Sequence, residues 1–462
     1  MNVREIIAQR GDEAFGLHER YLNPQMVRVL KTIGFDRRYV KAEGPYLFDE
    51  EGERYLDLLS GFGAFALGRN HPKVIQSLKD VLEAELPDLV QLDVSVLAGV
   101  LAERLLATMP SGLERVVFAN SGAETVEAAI KFSRYATGRA KVVYCQNSYH
   151  GLTMGSLSAT GYAHFREGFG PFVPEFEQVP FGDLTALEHV LASNDVAAFI
   201  VEPIQGHGVW IPDRHYLPEA AKLCRRHGAL FVADEVQTGL GRTGRFWAVE
   251  HWDVEPDLLC TAKALSGGFV PVGAVACRKR VFDKVFNRMD RAVVHGSTLA
   301  KNNLAMAAGL VVLEIIEEEK LVANAARIGA RIVADLEPLT EDYELVREVR
   351  GRGMMIALEF AEPQSLSLKA SWKMLEAANK GLFCQMITIP LFVRHHILSQ
   401  VAGHGMHVVK FLPPLVIDDN DRRWIVDAVC DVVADAHRVP GSVWDFGKTL
   451  ARQAIRTRAG AV

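Results

Sequence analysis

The sequence is poor in cysteine, and its six cysteines are scattered with no C-x-x-C pair. This spacing argues against a zinc site or a disulfide framework and favours reduced thiols in the cytoplasm. No apolar run approaches the ~18 residues of a membrane helix, and the charged start M-N-V-R-E-I-I-A-Q-R lacks the apolar stretch of a signal peptide. The net charge of −6 gives no reason to expect nucleic-acid binding. We therefore expect a cytoplasmic protein with no transmembrane segment, metal or nucleic-acid partner.

The chain is long and rich in hydrophobic residues: it has 462 residues, of which 49% are hydrophobic. Such a chain is expected to form roughly two or three domains of about 150 residues. Between about residues 115 and 280 apolar runs alternate with helical patterns, which predicts a doubly wound α/β fold with a mostly parallel sheet. The predicted strands are Arg115–Ala119, Lys141–Cys145, Ala197–Glu202, Leu230–Asp234, Leu258–Thr261 and Val272–Cys277.

After about residue 320 the pattern changes to that of a smaller α+β domain. We predict an N-terminal segment (1–60) that packs with this small domain, a large α/β domain (61–320) and the C-terminal small domain itself (321–462). The small domain would then be built from both termini of the chain.

Two of the apolar runs each end in one charged residue: Ala229–Ala233 lead to Asp234, and Leu258–Ala262 lead to Lys263. Ligands of open α/β sheets bind outside the carboxyl ends of the strands, where this acid and this lysine are expected. A buried lysine has a lowered pKa and can form a Schiff base, whereas a lysine in a surface loop would not. A buried carboxylate needs a cationic partner, such as the ring nitrogen of pyridoxal phosphate, unless it only caps the following loop.

Two small-residue stretches suit an anion such as a phosphate. The turn at Ser121, Gly122 and Ala123 follows a strand and opens a helix, whose first N–H groups and dipole attract negative charge. Ser297 and Thr298 precede another helix and offer hydroxyl groups. Alternatively, each stretch could serve only as an ordinary helix N-cap.

Four further residues suit the ring of a flat cofactor. Tyr149 and His150 lie in a loop after a strand, where an aromatic side chain could stack on such a ring. Val236 could pack against its other face, and Gln237 could donate a hydrogen bond to a ring hydroxyl. The alternative for each is ordinary core or loop packing.

Taken together, these motifs resemble one family. They are N-S-G-A-E-T at 120–125, S-Y-H-G at 148–151, V-E-P-I-Q-G at 201–206, D-E-V-Q-T-G-L-G-R-T-G at 234–244, T-A-K-A-L-S-G-G at 261–268 and H-G-S-T at 295–298. In this order they resemble the class III (omega) aminotransferases, which are pyridoxal-phosphate enzymes of fold type I. The resemblance covers roughly residues 40–430.

The resemblance implies a role for each matching residue. Lys263 would hold the cofactor as a Schiff base and shuttle a proton, and Asp234 would pair with the ring nitrogen. Ser297 and Thr298 would reach the phosphate from the neighbouring subunit, which implies a homodimer. The implied cofactor-binding set is Ser121, Gly122, Ala123, Tyr149, His150, Glu202, Asp234, Val236, Gln237, Lys263, Ser297 and Thr298.

Three positions depart from the pattern of ornithine and acetylornithine members. Lys410 stands where those members carry an arginine that grips the substrate carboxylate, and a lysine lacks the bidentate fork of arginine. His207 stands where those members tend to carry an acid that masks the arginine. Leu152 stands where many members of the family have a second arginine. A pocket with these residues is poorly suited to a small dicarboxylate, although Lys410 could still hold one carboxylate.

Residues 382–409 are longer and more apolar than expected in this family. They would form extra core or dimer interface, or else an apolar wall of the substrate pocket together with Phe62, Leu152 and Trp210. The second interpretation predicts a long or lipophilic substrate.

The sequence thus predicts a transaminase that moves an amino group between a terminal amine or amino-acid donor and an aldehyde or 2-oxo acid acceptor, with a lipophilic or diamine-type substrate. Three alternatives remain. The chain could be an aminomutase or decarboxylase of the same fold, or an ornithine/acetylornithine-type aminotransferase with altered carboxylate recognition. A module that only binds the cofactor is disfavoured by the intact pair of Asp234 and Lys263.

Overall fold

The fold was analysed in a computed structural model that describes residues 2–88, 94–378, 380–438, 441 and 444. The helices are α1 (Val3–Arg10), α2 (Ala14–Tyr21), α3 (Pro24–Ile33), α4 (Ser60–Gly63), α5 (Pro72–Glu83), α6 (Val96–Ala107), α7 (Gly122–Thr137), α8 (Met154–Ser158), α9 (Ala163–Arg166), α10 (Leu184–Leu191), α11 (Tyr216–His227), α12 (Lys279–Val285), α13 (Asn303–Glu318), α14 (Leu321–Leu336), α15 (Leu339–Asp342), α16 (Leu366–Ala378), α17 (Leu382–His395) and α18 (Asp419–Ala436). None of the helices described is long and apolar enough to cross a membrane.

The strands belong to three sheets. They are β1 (Tyr39–Glu43), β2 (Tyr46–Asp49), β3 (Arg54–Asp57), β4 (Arg115–Ala119), β5 (Lys141–Cys145), β6 (Phe176–Val179), β7 (Val196–Val201), β8 (Leu230–Asp234), β9 (Leu258–Thr261), β10 (Gly273–Cys277), β11 (Val346–Arg352), β12 (Met355–Phe360), β13 (Ile397–Leu398), β14 (Gln400–Val401) and β15 (Val408–Phe411). The largest sheet has seven strands in the order β4-β10-β9-β8-β7-β5-β6.

The seven-stranded sheet is parallel except for β10, which runs antiparallel to both of its neighbours. This confirms the predicted α/β class with a mostly parallel sheet. All six predicted strands are present, within one residue at either end. The edge strand β6 was not predicted, because Phe-Glu-Gln-Val is only four residues long and its two adjacent polar residues give neither an apolar run nor an alternation.

Both faces of this sheet are buried, which explains why its central strands are apolar along their whole length. Along β8, Phe231 and Ala233 pack into one core, and Leu230 and Val232 pack into the other. Helices α10 and α11 contribute to the first core, and α7 and α12 contribute to the second. Full burial of one phenylalanine such as Phe231 contributes about 1.5–3 kcal/mol to this packing.

The carboxyl ends of the parallel strands place the polar residues of the site along one edge. Strand β8 ends at Asp234, β7 ends one residue before Glu202, and β9 ends two residues before Lys263. Strand β5 ends four residues before Tyr149. The edge is therefore lined by side chains that are distant in sequence, as expected for an open α/β sheet.

The two smaller sheets lie near the chain termini. One has the order β11-β12-β15-β14, and the other has the order β1-β2-β3-β13, in which the C-terminal strand β13 pairs in parallel with β3. Tyr46 Oη also donates to Asp421 Oδ1 of α18 at 2.6 Å. The N-terminal segment thus contacts the C-terminal part, while the boundaries at residues 60 and 320 stay a prediction.

The apolar segment 382–409 is mainly core rather than pocket wall. Its helix α17 is buried along most of its length and packs against α16 and α18. Only Gln400 and Ala402 of this segment line the large cavity described below. The interpretation of the whole segment as a substrate wall was therefore wrong, because α17 is buried from Leu382 to Phe392 except at Gln385 and contributes no residue to the lining of the cavity.

Candidate active site

A cavity of about 960 Å³ lies at the carboxyl edge of the large sheet, with β14 and β15 contributing to its lining. It brings together most of the residues predicted from the sequence. These are Phe62, Ser121, Gly122, Ala123, Tyr149, His150, Leu152, Glu202, His207, Asp234, Val236, Gln237, Lys263 and Lys410. Three predicted residues are not among those that line it: Trp210, Ser297 and Thr298.

Lys263 begins a 3₁₀ turn (Lys263–Ser266) just after β9, with a φ of 41°. A left-handed backbone is unusual for a residue with a side chain and is typical of functional sites. Burial lowers the pKa of Lys263, and the charge of Arg242 lowers it further, whereas Asp234 and Glu202 oppose the shift. The amine is therefore more easily neutral, and so more nucleophilic, than an ordinary lysine.

Asp234 is fixed by two contacts at the end of β8. Its Oδ2 lies 2.7 Å from His150 Nδ1, and its Oδ1 accepts a hydrogen bond from Val236 N at 3.1 Å. His150 is itself held by Thr160, whose Oγ1 accepts from His150 N at 3.1 Å. The contact makes His150 a positioning residue for the acid as well as part of the cavity wall.

The start of α7 forms the cradle proposed for the phosphate. Ser121 caps the helix, and its Oγ accepts from Glu124 N at 3.2 Å. A Cβ on Gly122 would lie 2.6 Å from Val236 Cγ1, so a side chain there would collide with the residue expected against the cofactor ring. The first N–H groups of a helix have no intrahelical partners, which suits an anion.

The stretch with Ser297 and Thr298 lies beside this cradle. Ser297 Oγ accepts a hydrogen bond from Asn120 Nδ2 of the same chain at 2.6 Å, and Thr298 is exposed. The sequence assigned both residues to the phosphate of the neighbouring subunit, and that role stays a prediction.

Glu202 organises one wall of the cavity. Its two carboxylate oxygens accept from Tyr149 N at 2.9 Å and from Gly206 N at 2.8 Å. Burial raises its pKa, and the negative charge of Asp234 raises it too, whereas the two backbone donors oppose the shift. The acid thus links the loop that carries Tyr149 to the turn that carries His207.

The outer end of the cavity is aromatic and apolar. Phe62 and Leu152 are 56% and 53% exposed, so they form a mouth rather than core. The ring of His207 lies 5.1 Å from that of Tyr149 and 5.6 Å from that of Phe165. Burial lowers the pKa of His207 to about 3, and it is therefore neutral at physiological pH.

Trp210 was wrongly placed in the substrate pocket. Residues Gln205 and Trp210 form an isolated antiparallel bridge, so the chain turns back between them. The indole lies over Gly208, where a Cβ would come within 2.6 Å of the ring, and it lines a separate depression beside Trp372. His207, at the tip of the turn, faces the cavity instead.

Lys410 is the second lysine of the cavity. It is only 3% exposed on β15, and its Nζ donates to the carbonyl oxygen of Gly206 at 2.7 Å. Burial lowers its pKa to about 7, with a further decrease from Lys263 and an opposing effect of Glu202.

Several lining residues were missed by the sequence reasoning. Phe165 comes from α9, whereas Gln400 and Ala402 lie around β14 and were covered only by the prediction for the whole segment 382–409. No sequence signal marks these three residues individually, because only the tertiary fold brings them to the sheet edge. Arg242 lies within the recognised 234–244 motif and is buried, and its charge acts on Lys263.

The residues present fit pyridoxal phosphate. An amine of lowered pKa, a fixed acid, a helix N-terminus and an aromatic ring line one cavity. Gln237 donates one Nε2 hydrogen to Phe62 O at 3.0 Å, and its buried Oε1 has no partner among the described residues, so the oxygen and the second N–H of the amide are both left for a ring hydroxyl. The described residues contain no group of three acid, cysteine or histidine side chains that could hold a metal.

The fold and this site define a pyridoxal-phosphate-dependent transferase of fold type I. The family profile described as aminotransferase class-III matches residues 32–433, so the chain belongs to the class-III aminotransferases. The chain is 35% identical over 466 residues to aminotransferase PigE of Serratia sp. (strain ATCC 39006), covering 93% of this chain and 55% of that protein. It thus spans about half the length of this relative.

Further relatives carry related names. The acetylornithine aminotransferase of Methanopyrus kandleri is 43% identical over 326 residues, covering 70% of this chain and 81% of that protein. The solved structure of an ornithine aminotransferase from Toxoplasma gondii has a TM-score of 0.81 at 30% identity, covering 94% of this chain and 98% of that one. A PLP-bound amine transaminase from an uncultivated Pseudomonas species has a TM-score of 0.73 at 30% identity, and the match covers 86% of this chain and 94% of that one.

Proposed function

We propose that the chain is a transaminase that moves an amino group from a primary amine with an apolar body to a 2-oxo acid and, in the reverse direction, from the resulting amino acid to the corresponding aldehyde. The single observation that supports this choice is that Phe62, Leu152, Phe165 and a neutral His207 line the same cavity. An apolar body gains free energy when it covers such a wall, at about 25 cal/mol per Å² of apolar surface removed from water.

The reaction divides into tasks for named residues. Bound pyridoxal phosphate supplies an aldehyde that condenses with amines and a ring that accepts the electron pair of a broken C–H bond. Lys263 would take a proton from the substrate carbon and return it, and its lowered pKa, which favours the free base, supports this role. Asp234, fixed by His150, would keep the ring nitrogen protonated.

Lys410 would bind the carboxylate of the 2-oxo acid or of its amino-acid counterpart, such as glutamate. Its ammonium group lies in the cavity, beside the turn at Gly206. A lysine binds a carboxylate as a point charge, so selection of α-amino acids would be weaker than with an arginine.

An ornithine-type aminotransferase is the second candidate. Two of the relatives named above are ornithine and acetylornithine aminotransferases, and Lys410 retains a cation at the carboxylate position. An aminomutase or a decarboxylase would use the same cofactor site but would turn over without a 2-oxo acid.

We also propose a cytoplasmic homodimer. The dimer is supported by apolar side chains left exposed in the segment 289–299, which contains Ser297, namely Met289, Val293 and Leu299. A cytoplasmic location is supported by the six cysteines, which are all free, five of them buried.

A panel of amines tests the proposed function. Glutamate, alanine, ornithine, a diamine and hexylamine are each added to the cofactor-loaded protein, and the change in its visible absorbance is measured with and without a 2-oxo acid. We expect hexylamine to react faster than ornithine and steady turnover to require the 2-oxo acid. A clear preference for ornithine would favour the second candidate, and turnover without the 2-oxo acid would exclude a transaminase.

A further inference from the structure

The turn that carries His207 into the cavity has a strained backbone. Val209 lies two residues after His207, is fully buried and has a φ of 52°. The left-handed region is unfavourable for any residue with a side chain, and most of all for a β-branched one. Such a conformation persists only where the surrounding structure enforces it, and it is concentrated at functional sites. We therefore searched the neighbours of Val209 for the group that holds it.

The guanidinium of Arg350 holds this turn from β11 of a small sheet. Its Nη2 donates to Gly208 O at 2.7 Å, and its Nε donates to Gly208 O at 3.2 Å and to Val209 O at 3.1 Å. These two carbonyl groups belong to the peptide planes on either side of the Val209 Cα, so their directions fix its φ and ψ. Hydrogen bonds from a charged donor are stronger than those between neutral groups. Arg350 thus enforces the left-handed conformation of Val209.

Arg350 is itself firmly anchored. Its Nη1 donates to Glu348 Oε2 at 2.6 Å and to Glu359 Oε2 at 2.5 Å, and the residue is only 8% exposed. It is not among the residues that line the cavity. Its contact with the site therefore runs through the turn.

The other side of the turn belongs to the cavity. The ring of His207 lies 5.1 Å from that of Tyr149 and 5.6 Å from that of Phe165, and so completes an aromatic wall. At the start of the turn, Gly206 N donates to Glu202 Oε2 at 2.8 Å. The tip with His207 thus lies between two anchored points, and release of one of them moves the ring.

We propose that Arg350 is a positioning residue for substrate selection: it holds Val209 in its left-handed conformation and thereby keeps His207 in the wall that covers the apolar body of the amine. This inference rests on the proposed transaminase function. Release of the turn withdraws the ring, so a long amine loses apolar contact. A short amine does not reach the wall and loses nothing.

Two amines that differ only in chain length test this role. Hexylamine carries an apolar body to the wall, whereas ethylamine is too short to cover it. The ratio of their kcat/KM values in the cofactor-loaded protein does not depend on how much of a variant is folded or loaded. We expect Arg350→Lys to lower this ratio about tenfold, through a higher KM for hexylamine rather than a lower kcat. A lysine lacks the fork that reaches both carbonyl oxygens.

Two more variants support this comparison. Arg350→Gln keeps a donor but no charge, and it should lower the ratio at least as much as Arg350→Lys. Arg347→Lys is the matched control, since Arg347 lies on the same strand, is 67% exposed and pairs with Glu359 rather than with the turn. The control should keep the ratio of the wild type.

The outcomes separate this inference from the proposed function. A high wild-type ratio that the Arg350 variants leave unchanged, or an equal fall in Arg347→Lys, overturns this inference alone. A purely structural role of Arg350 would give that unchanged ratio, because both amines would lose activity equally. A wild-type ratio near one rejects the proposed function and this inference with it.

Two altered backgrounds test the route from Arg350 to the cavity. His207→Ala removes the ring, so Arg350→Lys should cause no further fall of the ratio in that background. Val209→Gly adopts the left-handed region without strain, so the fall caused by Arg350→Lys should be several-fold smaller there than in the wild type. A full additional fall in either background overturns the proposal, because Arg350 would then act by another route than the strained turn.

Discussion

His150 Nδ1 lies 2.7 Å from Asp234 Oδ2, and both side chains are buried. The imidazole therefore fixes one oxygen of the acid, while Val236 N fixes the other. This arrangement directs the carboxylate from the end of β8 into the cavity. Two residues 84 positions apart thus form one unit of the site.

Removal of this imidazole should weaken cofactor binding. His150→Ala leaves one buried oxygen of Asp234 without its partner, and a hydrogen bond to a charged group contributes about 1.5–3 kcal/mol. We expect the dissociation constant of pyridoxal phosphate to rise about 10- to 100-fold in a fluorescence titration. The exposed His189 on α10 provides the control variant, His189→Ala, which should bind like the wild type. Unchanged affinity of His150→Ala would contradict the positioning role.

Gly122→Ala tests the close approach of α7 to the cofactor site. The added methyl would lie 2.6 Å from Val236 Cγ1, so either the helix start or Val236 must shift. We expect the affinity for pyridoxal phosphate to fall about tenfold or more, with the helical circular dichroism retained. Gly99→Ala is the matched control, because a Cβ there meets nothing within 4 Å, and the substitution should leave affinity unchanged. Equal affinity of both variants would show that the fit at Gly122 does not matter.

Leu152→Arg should change the substrate preference. A charge at the apolar mouth disfavours a lipophilic body but not a substrate with a carboxylate. We expect kcat/KM for hexanal to fall about tenfold or more, with a much smaller loss in the half-reaction with glutamate. Met154→Arg is the control, because it adds the same charge two residues further on but outside the cavity lining. It should change neither kcat/KM for hexanal nor the half-reaction with glutamate. Equal loss in both half-reactions of Leu152→Arg would exclude Leu152 as a specificity residue.

Lys410 should make the stability of the cofactor-free protein depend on pH. Its pKa is about 7 in the folded state, below the ~10.4 of a lysine in the unfolded chain. Between these values the unfolded chain binds one more proton, so the free energy of unfolding rises with pH. From pH 7 to 9 the wild type should gain about 2 kcal/mol relative to Lys410→Met in urea unfolding.

The control for this measurement is Lys284→Met, which removes an exposed lysine of α12 and should follow the wild type. If the free energy of unfolding rises with pH equally steeply in Lys410→Met and in the wild type, Lys410 keeps an ordinary pKa in the folded protein and the prediction is wrong.

The large sheet could be predicted from the sequence because its strands are short apolar runs that end in polar residues. Asp234 and Lys263 stand at such ends, and the parallel order of β8 and β9 brings them to one edge. Strand β6 could not be predicted in this way, since an edge strand with two polar residues carries no continuous apolar signal.

The substrate end of the cavity was less predictable. His207 and Trp210 are three residues apart, but a turn sends them to opposite sides. The contact of Lys410 with Gly206 joins residues 204 positions apart and involves a backbone atom, which leaves no mark in the sequence. Family motifs led to the residues proposed for the cofactor, whereas the proposed substrate walls depend on how the small sheets meet the large one.

One measurement tests the central claim most directly, because the cavity contains two lysines of lowered pKa, Lys263 and Lys410. The cofactor-loaded protein is reduced with borohydride, which fixes pyridoxal phosphate to the lysine that holds it, and the modified peptide is identified by mass spectrometry. We expect modification of Lys263 alone, and loss of the visible absorbance band in Lys263→Ala before reduction. Modification of Lys410 instead, or a band that survives in Lys263→Ala, would contradict the assignment of the catalytic lysine.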